Sequence, residues 1–218
     1  MGRRALRKID ADLDLSWHLR EFESLTAPFI ATEMFQRDAP LEVEVGCGKG
    51  LFMSTASGDL PDRNFVGIEI ASKYASFAAA RLAKSERDNA LLIHGDAQKF
   101  FHDYLPLESL DAVHVYFPDP WWKKRHRKRR IMNEGFLLDV HRALKTGGQL
   151  HFWTDVKEYF DEALELIREK IPLSGPQHVE ERVSSHNLDY RTHFERRMRL
   201  HNEPVYRSEF TKTASSTA

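Results

Sequence analysis

One acidic residue, Asp119, stands between two prolines in the segment 117–120. Because a proline lacks a backbone N–H and fixes φ, Pro118 and Pro120 predict a stiff corner that presents this carboxylate. Two tryptophans follow, and seven of the eight residues 123–130 are Lys or Arg. A fixed acid, flat aromatic rings and dense positive charge suit a reaction on a base whose phosphate backbone is held nearby.

Each part of this segment also has a plainer interpretation. A Pro-Asp-Pro sequence is typical of an ordinary turn, and tryptophans beside a strand commonly pack in the core or at its rim. A basic run is commonly a solvated surface or a nuclear-import signal. The segment therefore suggests RNA or DNA without proving either, and the rest of the chain has to distinguish these interpretations.

The charge of the chain is divided unevenly. The 218 residues have a net charge of −1, from 32 Lys and Arg against 33 Asp and Glu. Without the seven basic residues of 123–130, the remainder has 25 basic and 33 acidic residues, a net charge of −8. An acidic body with one dense basic patch favours local docking of a polyanion over general coating of DNA. Arg3, Arg4, Arg7 and Lys8 add a second, smaller basic cluster.

The composition is that of a soluble globular protein, with 41% hydrophobic and 30% charged residues. Cys47 is the only cysteine, which excludes an internal disulfide and a cysteine-based zinc site and fits a reducing compartment. No apolar stretch approaches the length of a membrane span, and the start of the chain lacks the apolar segment of a secretory signal. We therefore expect a cytoplasmic protein with no membrane contact and no metal.

Strands and helices alternate along most of the chain. Short runs rich in β-branched, aromatic and other apolar residues, alternating with polar ones at 41–45 and with His and Tyr at 113–117, predict strands there and at 64–70, 90–95 and 149–155. Helices are predicted between them, beginning near Phe52, after Ser72 as a cap, and over 97–104, 132–144 and 158–171. This alternation predicts right-handed crossovers and a mainly parallel sheet, the arrangement of an α/β protein.

The two ends of the chain have weaker patterns. Residues 10–38 are predicted to be partly helical, with Pro28 as an interruption. Near the other end, a strand-like stretch at 178–183 and an irregular stretch at 189–197 precede a strand at 205–210, which allows a closing antiparallel hairpin. We expect an N-terminal helical extension over 1–40, one domain over 41–210 and a flexible tail over 211–218.

A glycine loop follows the first predicted strand of the domain, with glycines at 46, 48 and 50. A dinucleotide fingerprint needs its third glycine one position later, where Leu51 stands, and the glycine loop lacks the Lys-Ser/Thr pair of a phosphate-binding P-loop, since Lys49 is followed by Gly50. The loop is therefore either a tight turn without a ligand or the site of a ligand other than a dinucleotide.

Acidic residues mark the ends of the first four predicted strands of the domain: Glu44, Glu69, Asp96 and Asp119. Open α/β sheets bind ligands at this edge, although any one of the four could be a helix cap or a solvated turn. Such a cluster would repel a phosphate-bearing cofactor. S-adenosylmethionine has no phosphate, and it offers an ammonium, a cationic sulfur, ribose hydroxyls and an adenine amine. We expect Glu44 near the methionyl end, Glu69 on the ribose hydroxyls and Asp96 beside the adenine.

Together these motifs resemble the bacterial tRNA (guanine-N7-)-methyltransferase family from about residue 41 to residue 210. FPDPWWKKRHRKRR is the most distinctive match, and LEVEVGCGKG, VGIEI, HGDA, FWTD and THFERR fall in the family's order. The resemblance implies a Rossmann-like class I methyltransferase fold, with a seven-stranded, mostly parallel sheet, a last antiparallel strand and helices on both faces. It also implies transfer of a methyl group from S-adenosyl-L-methionine to nitrogen 7 of the variable-loop guanine of tRNA, which leaves S-adenosyl-L-homocysteine.

The resemblance also assigns roles by matched position. It implies Asp119 as the active-site acid and a cofactor contact, with the other cofactor-binding residues Glu44, Gly46, Gly48, Gly50, Glu69 and Asp96. The substrate side would comprise Lys123, Asp155, Thr192, His193, Phe194 and Glu195, and the RNA-contacting segment Arg125, His126, Arg127, Lys128, Arg129 and Arg130. For Phe194, core packing is an equal alternative. Trp122 departs from the family pattern, in which this position is often smaller or polar, and could alter how the base is stacked.

Three other interpretations compete with this assignment. The nearest is a methyltransferase that acts on another RNA or on a protein. A nucleotide-dependent oxidoreductase is disfavoured by Leu51 and by the acidic strand ends. A non-catalytic RNA-binding module would explain the basic run but would leave the four acids without a role. We expect tRNA as the partner and a monomer or weak homodimer in solution.

Overall fold

The computed structural model describes residues 6–181, 184 and 190–214. Within these residues eight strands form one sheet: β1 (Leu19–Glu21), β2 (Leu41–Val45), β3 (Asn64–Glu69), β4 (Ala90–His94), β5 (Leu110–Tyr116), β6 (Leu144–Thr154), β7 (Leu173–His178) and β8 (Tyr206–Lys212). Their order across the sheet is β1-β4-β3-β2-β5-β6-β8-β7. Strand β8 is antiparallel to both of its neighbours, whereas every other pair is parallel. This confirms the predicted fold class, with β1 added as an eighth strand at one edge.

Helices cover both faces of the sheet: α1 (Ala31–Phe35), α2 (Leu51–Asp59), α3 (Ser72–Lys84), α4 (Ala97–Lys99), α5 (Glu134–Ala143), α6 (Lys157–Lys170) and α7 (His193–Leu200). Helix α4 continues as a π-helical turn, Phe100–Tyr104. One apolar cluster includes Phe52 of α2 and Leu82 of α3, and a second includes Phe136 of α5 and Ile167 of α6. Because the central strands lie between these layers, every residue of β2 and β3 is buried.

The N-terminal segment contains less helix than predicted. In the described part of residues 10–38, only Ala31–Phe35 is α-helical, and Leu19–Glu21 is a strand paired in parallel with β4. The partner of this strand lies about seventy residues away along the chain, with Leu19 opposite Leu92, so local spacing could not predict it. Arg3 and Arg4 of the predicted basic cluster lie outside the described residues.

Elements near the C-terminus also differ from the prediction. The strand expected at 178–183 is instead Leu173–His178, and residues 182 and 183 lie outside the described residues. The stretch expected to be irregular contains α7. Strand β8 runs to Lys212, two residues into the predicted flexible tail, and residues 215–218 lie outside the described residues. Ser72 does not cap α3, since Ala71 occupies the cap position without a side-chain bond.

Candidate active site

The four predicted acids lie at one edge of the sheet. Strands β2, β3, β4 and β5 are parallel and adjacent, so their carboxyl ends meet. Glu44 is in β2 and Glu69 ends β3, whereas Asp96 and Asp119 follow the ends of β4 and β5. The sheet therefore brings together the residues that the sequence selects, at the edge where open α/β sheets bind ligands.

The glycine loop between β2 and α2 has a left-handed backbone, with φ of +75° at Gly46, +52° at Gly48 and +64° at Gly50. A Cβ at Gly50 would lie 2.6 Å from the Cβ of Ala78, so this glycine allows α3 to pack closely. A Cβ at Gly46 would meet no heavy atom within 4 Å. The loop therefore leaves open space above Gly46, where a ligand can approach the backbone.

Glu69 fixes the loop to the start of α3. Its Oε2 accepts a hydrogen bond from the Gly48 N–H at 2.9 Å, and its Oε1 accepts one from the Ala71 N–H at 2.9 Å. The side chain is buried, yet each carboxylate oxygen retains a second lone pair. Glu69 can therefore hold the loop and still accept hydrogen bonds from ligand hydroxyls.

Glu44 is the acid that lacks partners. It is 3% exposed, and its Oε2 accepts no hydrogen bond in the described part of the chain. Burial, together with the negative charge of Glu69, raises the pKa of Glu44 to about 8. A buried carboxylate without a partner is costly, and a ligand ammonium would supply both the missing donor and the missing charge. The residues present therefore fit a cofactor with a cationic amino-acid end.

Asp96 confirms the helix-cap alternative for one of the four acids. Its Oδ1 accepts a hydrogen bond from the Gln98 N–H at 2.9 Å, which caps α4. Capping uses one oxygen, and Oδ2 takes no hydrogen bond among the described residues. The cap also orients the carboxylate, because a side chain held at a helix start has little rotational freedom.

Asp119 is exposed on a corner that is strained at both ends. Phe117 and Trp121 have φ values of 50° and 47°, in a region that residues with a side chain rarely adopt. The Phe117 N–H donates to the carbonyl oxygen of Trp153 at 2.7 Å, and Nε of Arg130 donates to that of Pro120 at 2.7 Å. Bonds from two parts of the fold therefore hold the corner.

Two arginines of the basic turn, defined as residues 123–130, point towards α6. Arg130 is 5% exposed, forms an ion pair with Glu162 and lies 4.5 Å above the ring of Tyr159. Arg127 pairs with Glu158 at 2.6 Å and with Glu162 at 2.9 Å. These contacts fasten the turn to α6. The exposed cations of the turn are Lys123, Lys124, Arg125, Lys128 and Arg129.

Thr192 and Glu195 build the start of α7. Oγ1 of Thr192 accepts from the Glu195 N–H at 3.0 Å, and Oε2 of Glu195 accepts from the Arg191 N–H at 2.7 Å. This reciprocal pair is a variant of the capping box. Glu195 is buried and also accepts from Arg207 at 3.2 Å. Both residues therefore have structural partners, which position whatever contacts they make with a substrate.

His193 and Phe194 bring α7 to the two sides of the site. Nη2 of Arg81 donates to Nε2 of His193 at 3.0 Å. Burial, aided by the charges of Arg81 and of Lys49 in the glycine loop, lowers the pKa of His193 to about 4, so its ring is neutral at neutral pH. On the other side, the ring of Phe194 packs against that of Phe117 at 4.9 Å. Helix α7 thus joins α3 to the corner of Asp119.

Asp155 completes the predicted set. It follows the last residue of β6 and is half-buried. Burial raises its pKa, although the nearby charge of Arg197 acts in the opposite direction. Arg197 was not predicted from the sequence, and its guanidinium lies 4.2 Å above the ring of Phe194. Asp155 and Arg197 therefore place one negative and one positive charge near the Phe194 ring.

Comparison with known proteins agrees with this geometry. Residues 38–208 match the family model described as "Putative methyltransferase". The tRNA (guanine-N(7)-)-methyltransferase of Rhodopirellula baltica is 52% identical, over 97% of this chain and 80% of that protein. The chain belongs to the tRNA (guanine-N7-)-methyltransferase family. The enzyme of the same name from Serratia proteamaculans is 38% identical over 71% of this chain, which spans 65% of that relative's length.

Solved structures support the fold of this family member. The 16S rRNA methyltransferase KamB superposes with a TM-score of 0.61 at 16% identity, over 88% of this chain and 97% of that one. The aminoglycoside resistance methyltransferase NpmB1 superposes with a TM-score of 0.59 at 19% identity, over 83% and 91% of the two chains. At these identities the likeness concerns the fold alone.

This family member also buries a chain of hydrogen-bonded polar side chains that the motifs did not predict. Nε2 of His114 lies 2.7 Å from Oε2 of Glu42, and its Nδ1 lies 2.9 Å from Oη of Tyr116. Arg63 donates to the other oxygen of Glu42 at 2.6 Å, and the ring of His151 stacks on that of His114 at 4.6 Å. Although burial alone would raise it, hydrogen bonds from His114 and Arg63 lower the pKa of Glu42. The sequence signal for this chain was the polar residues at alternate positions of β2 and β5, because alternate side chains of a strand lie on the same face of the sheet.

None of the described helices has both the length and the apolar character needed to span a bilayer. No group of three or more His, Cys, Asp or Glu side chains in the described ranges is arranged to hold a metal ion.

Proposed function

We propose that this protein transfers a methyl group from S-adenosyl-L-methionine to nitrogen 7 of the variable-loop guanine in tRNA. The observation that carries the proposal is the 52% identity to a tRNA (guanine-N(7)-)-methyltransferase across 97% of this chain. The site geometry supports it, since a carboxylate on a rigid corner lies between an acid-lined glycine loop and a cationic turn. The products are 7-methylguanosine in the RNA and S-adenosyl-L-homocysteine.

The acid-lined edge would hold the methyl donor. When bound, S-adenosyl-L-methionine supplies a methyl group attached to a positively charged sulfur. Glu44 would accept a hydrogen bond from the donor's ammonium at its unpaired Oε2. Glu69 would accept from the ribose hydroxyls with its second lone pairs, and Asp96 would accept from the adenine amine. The open space above Gly46 lets the backbone lie against the donor.

The chemistry requires alignment and charge stabilisation. Nitrogen 7 of guanine has an in-plane lone pair and no proton, so no general base is needed. The bound donor would supply the methyl group and keep the electron pair of its carbon–sulfur bond on sulfur, so positive charge would pass from the sulfur to the purine. A fixed carboxylate at Asp119 would stabilise this charge and accept hydrogen bonds from the base. Holding the two reactants in line contributes several kcal/mol, roughly 7 to 11 in well-aligned systems.

The basic turn would bind the RNA. Lys123, Lys124, Arg125, Lys128 and Arg129 are exposed, so they are available for phosphate oxygens. Arg127 and Arg130 would act indirectly, by holding the turn on α6. Because nitrogen 7 is engaged in tertiary contacts in folded tRNA, the base would have to open locally to reach Asp119. Binding should weaken as salt rises.

Mapping the modified nucleoside tests this function. The purified protein would be incubated with unmodified tRNA and a donor that carries an isotopically labelled methyl group, and the RNA would then be digested and analysed by mass. We expect the label in 7-methylguanosine from the variable loop. Label on another base, on protein or nowhere would contradict the proposal. We also expect a cytoplasmic protein that elutes as a monomer or weak homodimer in size-exclusion chromatography.

A further inference from the structure

Trp122 is a large aromatic side chain that the fold does not use. It is 67% exposed, and no ring, cation or hydrogen bond contacts it in the described parts of the chain. Its neighbour Trp121 differs, because the guanidinium of Arg129 lies 5.0 Å above its ring and His126 meets it edge-on at 5.9 Å. Trp121 therefore has a role in folding the turn, whereas Trp122 is free to contact a ligand.

A cavity beside the catalytic corner makes this exposure informative. An isolated exposed apolar residue is common on protein surfaces and needs no explanation. Trp122, however, lines an open cavity of about 370 Å³. That volume is within the range of about 300 to 1,000 Å³ found for small-ligand sites. The other lining residues are Asp119, Pro120, Trp121, Lys123 and His126.

The lining matches one nucleotide. A carboxylate accepts hydrogen bonds from the edge of a base, an indole face stacks on its plane, and a lysine binds its phosphate. An apolar protein partner is a poor match, because the exposed Trp122 is followed directly by Lys123, Lys124 and Arg125. A second copy of this chain would bring like charges together at the same place.

We propose that Trp122 stacks on the guanine that is methylated and that its π face favours the cationic, methylated base over the neutral one. This inference rests on the proposed function. Methylation at nitrogen 7 places a positive charge on the purine ring, and the negative face of an indole attracts a cation. The stacking therefore strengthens as the reaction proceeds, so Trp122 contributes to lowering the barrier as well as to binding.

Two substitutions separate the aromatic face from apolar bulk. Trp122→Leu retains an apolar side chain without a π face, and Trp122→Phe retains a smaller π face. Leu107→Ala is the matched control, since Leu107 is 68% exposed and precedes β5. It therefore lies near the amino-terminal end of this strand, whereas Asp119 follows its carboxyl end. We expect Trp122→Leu to lower kcat/KM for tRNA by about 10-fold or more, the scale of base–aromatic stacking. Trp122→Phe should retain most of the activity, and Leu107→Ala should match the wild type.

A nucleotide titration reads the stacking without any methyl transfer. Isothermal titration calorimetry would be recorded while guanosine 5′-monophosphate or its 7-methylated form is added, because this signal does not depend on the presence of Trp122 as a fluorophore. We expect the wild type to bind the methylated nucleotide at lower concentrations. The preference should disappear in Trp122→Leu and persist in Leu107→Ala. Circular dichroism melting of each variant checks that the fold is retained.

The outcomes distinguish this inference from the proposed function. A wild type that methylates guanine, with a Trp122→Leu variant of equal kcat/KM and unchanged nucleotide preference, overturns the inference and leaves the function standing. A wild type that transfers no methyl group to tRNA removes the proposed function. In that case the nucleotide titration still tests the stacking. A preference for the methylated nucleotide that is lost in Trp122→Leu supports the stacking, and the same preference in all variants overturns it.

Discussion

The ring of Phe194 packs against the ring of Phe117, with their centroids 4.9 Å apart. Phe117 has a left-handed backbone and begins the corner that carries Asp119, and Phe194 is the second residue of α7. Arg197 covers the outer side of this contact, 4.2 Å above the Phe194 ring. A helix near the end of the described chain therefore supports the strained corner directly, and the position of Asp119 depends on it.

Removing the Phe194 ring should impair catalysis more than cofactor binding. In Phe194→Ala, the corner loses the aromatic contact, which is worth about 1 kcal/mol. We expect kcat to fall by roughly 10-fold or more, since small displacements at a reacting centre are costly. Phe194→Tyr keeps the ring and should retain the activity. Steady-state kinetics of the two variants test this, and a kcat for Phe194→Ala equal to that of the wild type would show that the contact does not position Asp119.

The exposed cations of the basic turn should set the salt dependence of tRNA binding. Replacing Lys124, Arg125 and Lys128 together by Ala should weaken binding and reduce the slope of log K against log salt by about 2 to 3, from roughly 0.7 to 0.9 per phosphate contact. The matched control is the triple Ala variant of Lys84, Arg168 and Lys170, which are exposed near the C-terminal ends of α3 and α6. Filter binding over a salt series measures both slopes. Equal slopes for the two variants would mean that the turn does not face the RNA.

Arg130 should affect stability although it belongs to the same basic run. Its side chain is 5% exposed and pairs with Glu162, which is partly exposed. Arg130→Ala removes this pair, the stacking on Tyr159 and the bond to the Pro120 carbonyl, so we expect the free energy of unfolding to fall by about 2 to 4 kcal/mol. Arg125→Ala should change it by less than about 0.5 kcal/mol, as is usual for a surface position. Urea denaturation compares the two. If both variants change the free energy of unfolding by equally small amounts, the contacts of Arg130 do not stabilise the turn.

Glu44 should make the stability of the ligand-free protein depend on pH. Burial raises its pKa to about 8, above the usual value of 4.5, so the folded state binds more protons than the unfolded state between these values. The stability is therefore highest below about pH 4.5 as far as this group is concerned, and it decreases as pH rises towards 8, by up to about 1.4 kcal/mol per pH unit. Glu44→Gln should flatten this decrease and weaken binding of S-adenosyl-L-methionine.

Denaturation between pH 5 and 9 measures how the stability of the wild type and of Glu44→Gln depends on pH. Calorimetry measures their affinity for S-adenosyl-L-methionine. An ammonium beside Glu44 would lower its pKa, so cofactor binding near pH 7 should release a proton, seen as a binding heat that depends on the buffer. Glu69→Gln is a useful comparison, because its carboxylate already has two backbone donors. If wild type and Glu44→Gln show the same pH profile and the same cofactor affinity, Glu44 is not the ammonium site.

The sequence predicted the part of the site that depends on local pattern. Each of the four acids lies in, ends or follows a short apolar run, and the three glycines follow the first of these runs, so parallel pairing alone brings these residues together. The corner of Asp119 was predictable for the same reason, since two prolines fix it within a few residues.

The missed features depend on contacts distant in sequence. Strand β1 forms because the edge of β4 is available to it, and nothing within Leu19–Glu21 reveals that partner. Arg127 and Arg130 look like their neighbours in a run of identical charge, and only the position of Glu162 on α6 turns their side chains towards that helix. Helix α7 was missed because its sequence is strongly polar, although Thr192 and Glu195 carried a capping signal.

The rate of methyl transfer to guanine nitrogen 7 in a single turnover, with saturating donor, tests the central claim most directly. It would be measured for the wild type and for Asp119→Asn on the same unmodified tRNA, with the product identified as 7-methylguanosine. We expect the wild type to form this nucleoside and the variant to be slower by roughly 100-fold or more, since the amide keeps the shape of Asp119 without its charge. Equal rates, or a wild type that forms no 7-methylguanosine, would contradict the role of Asp119 and the proposed reaction respectively.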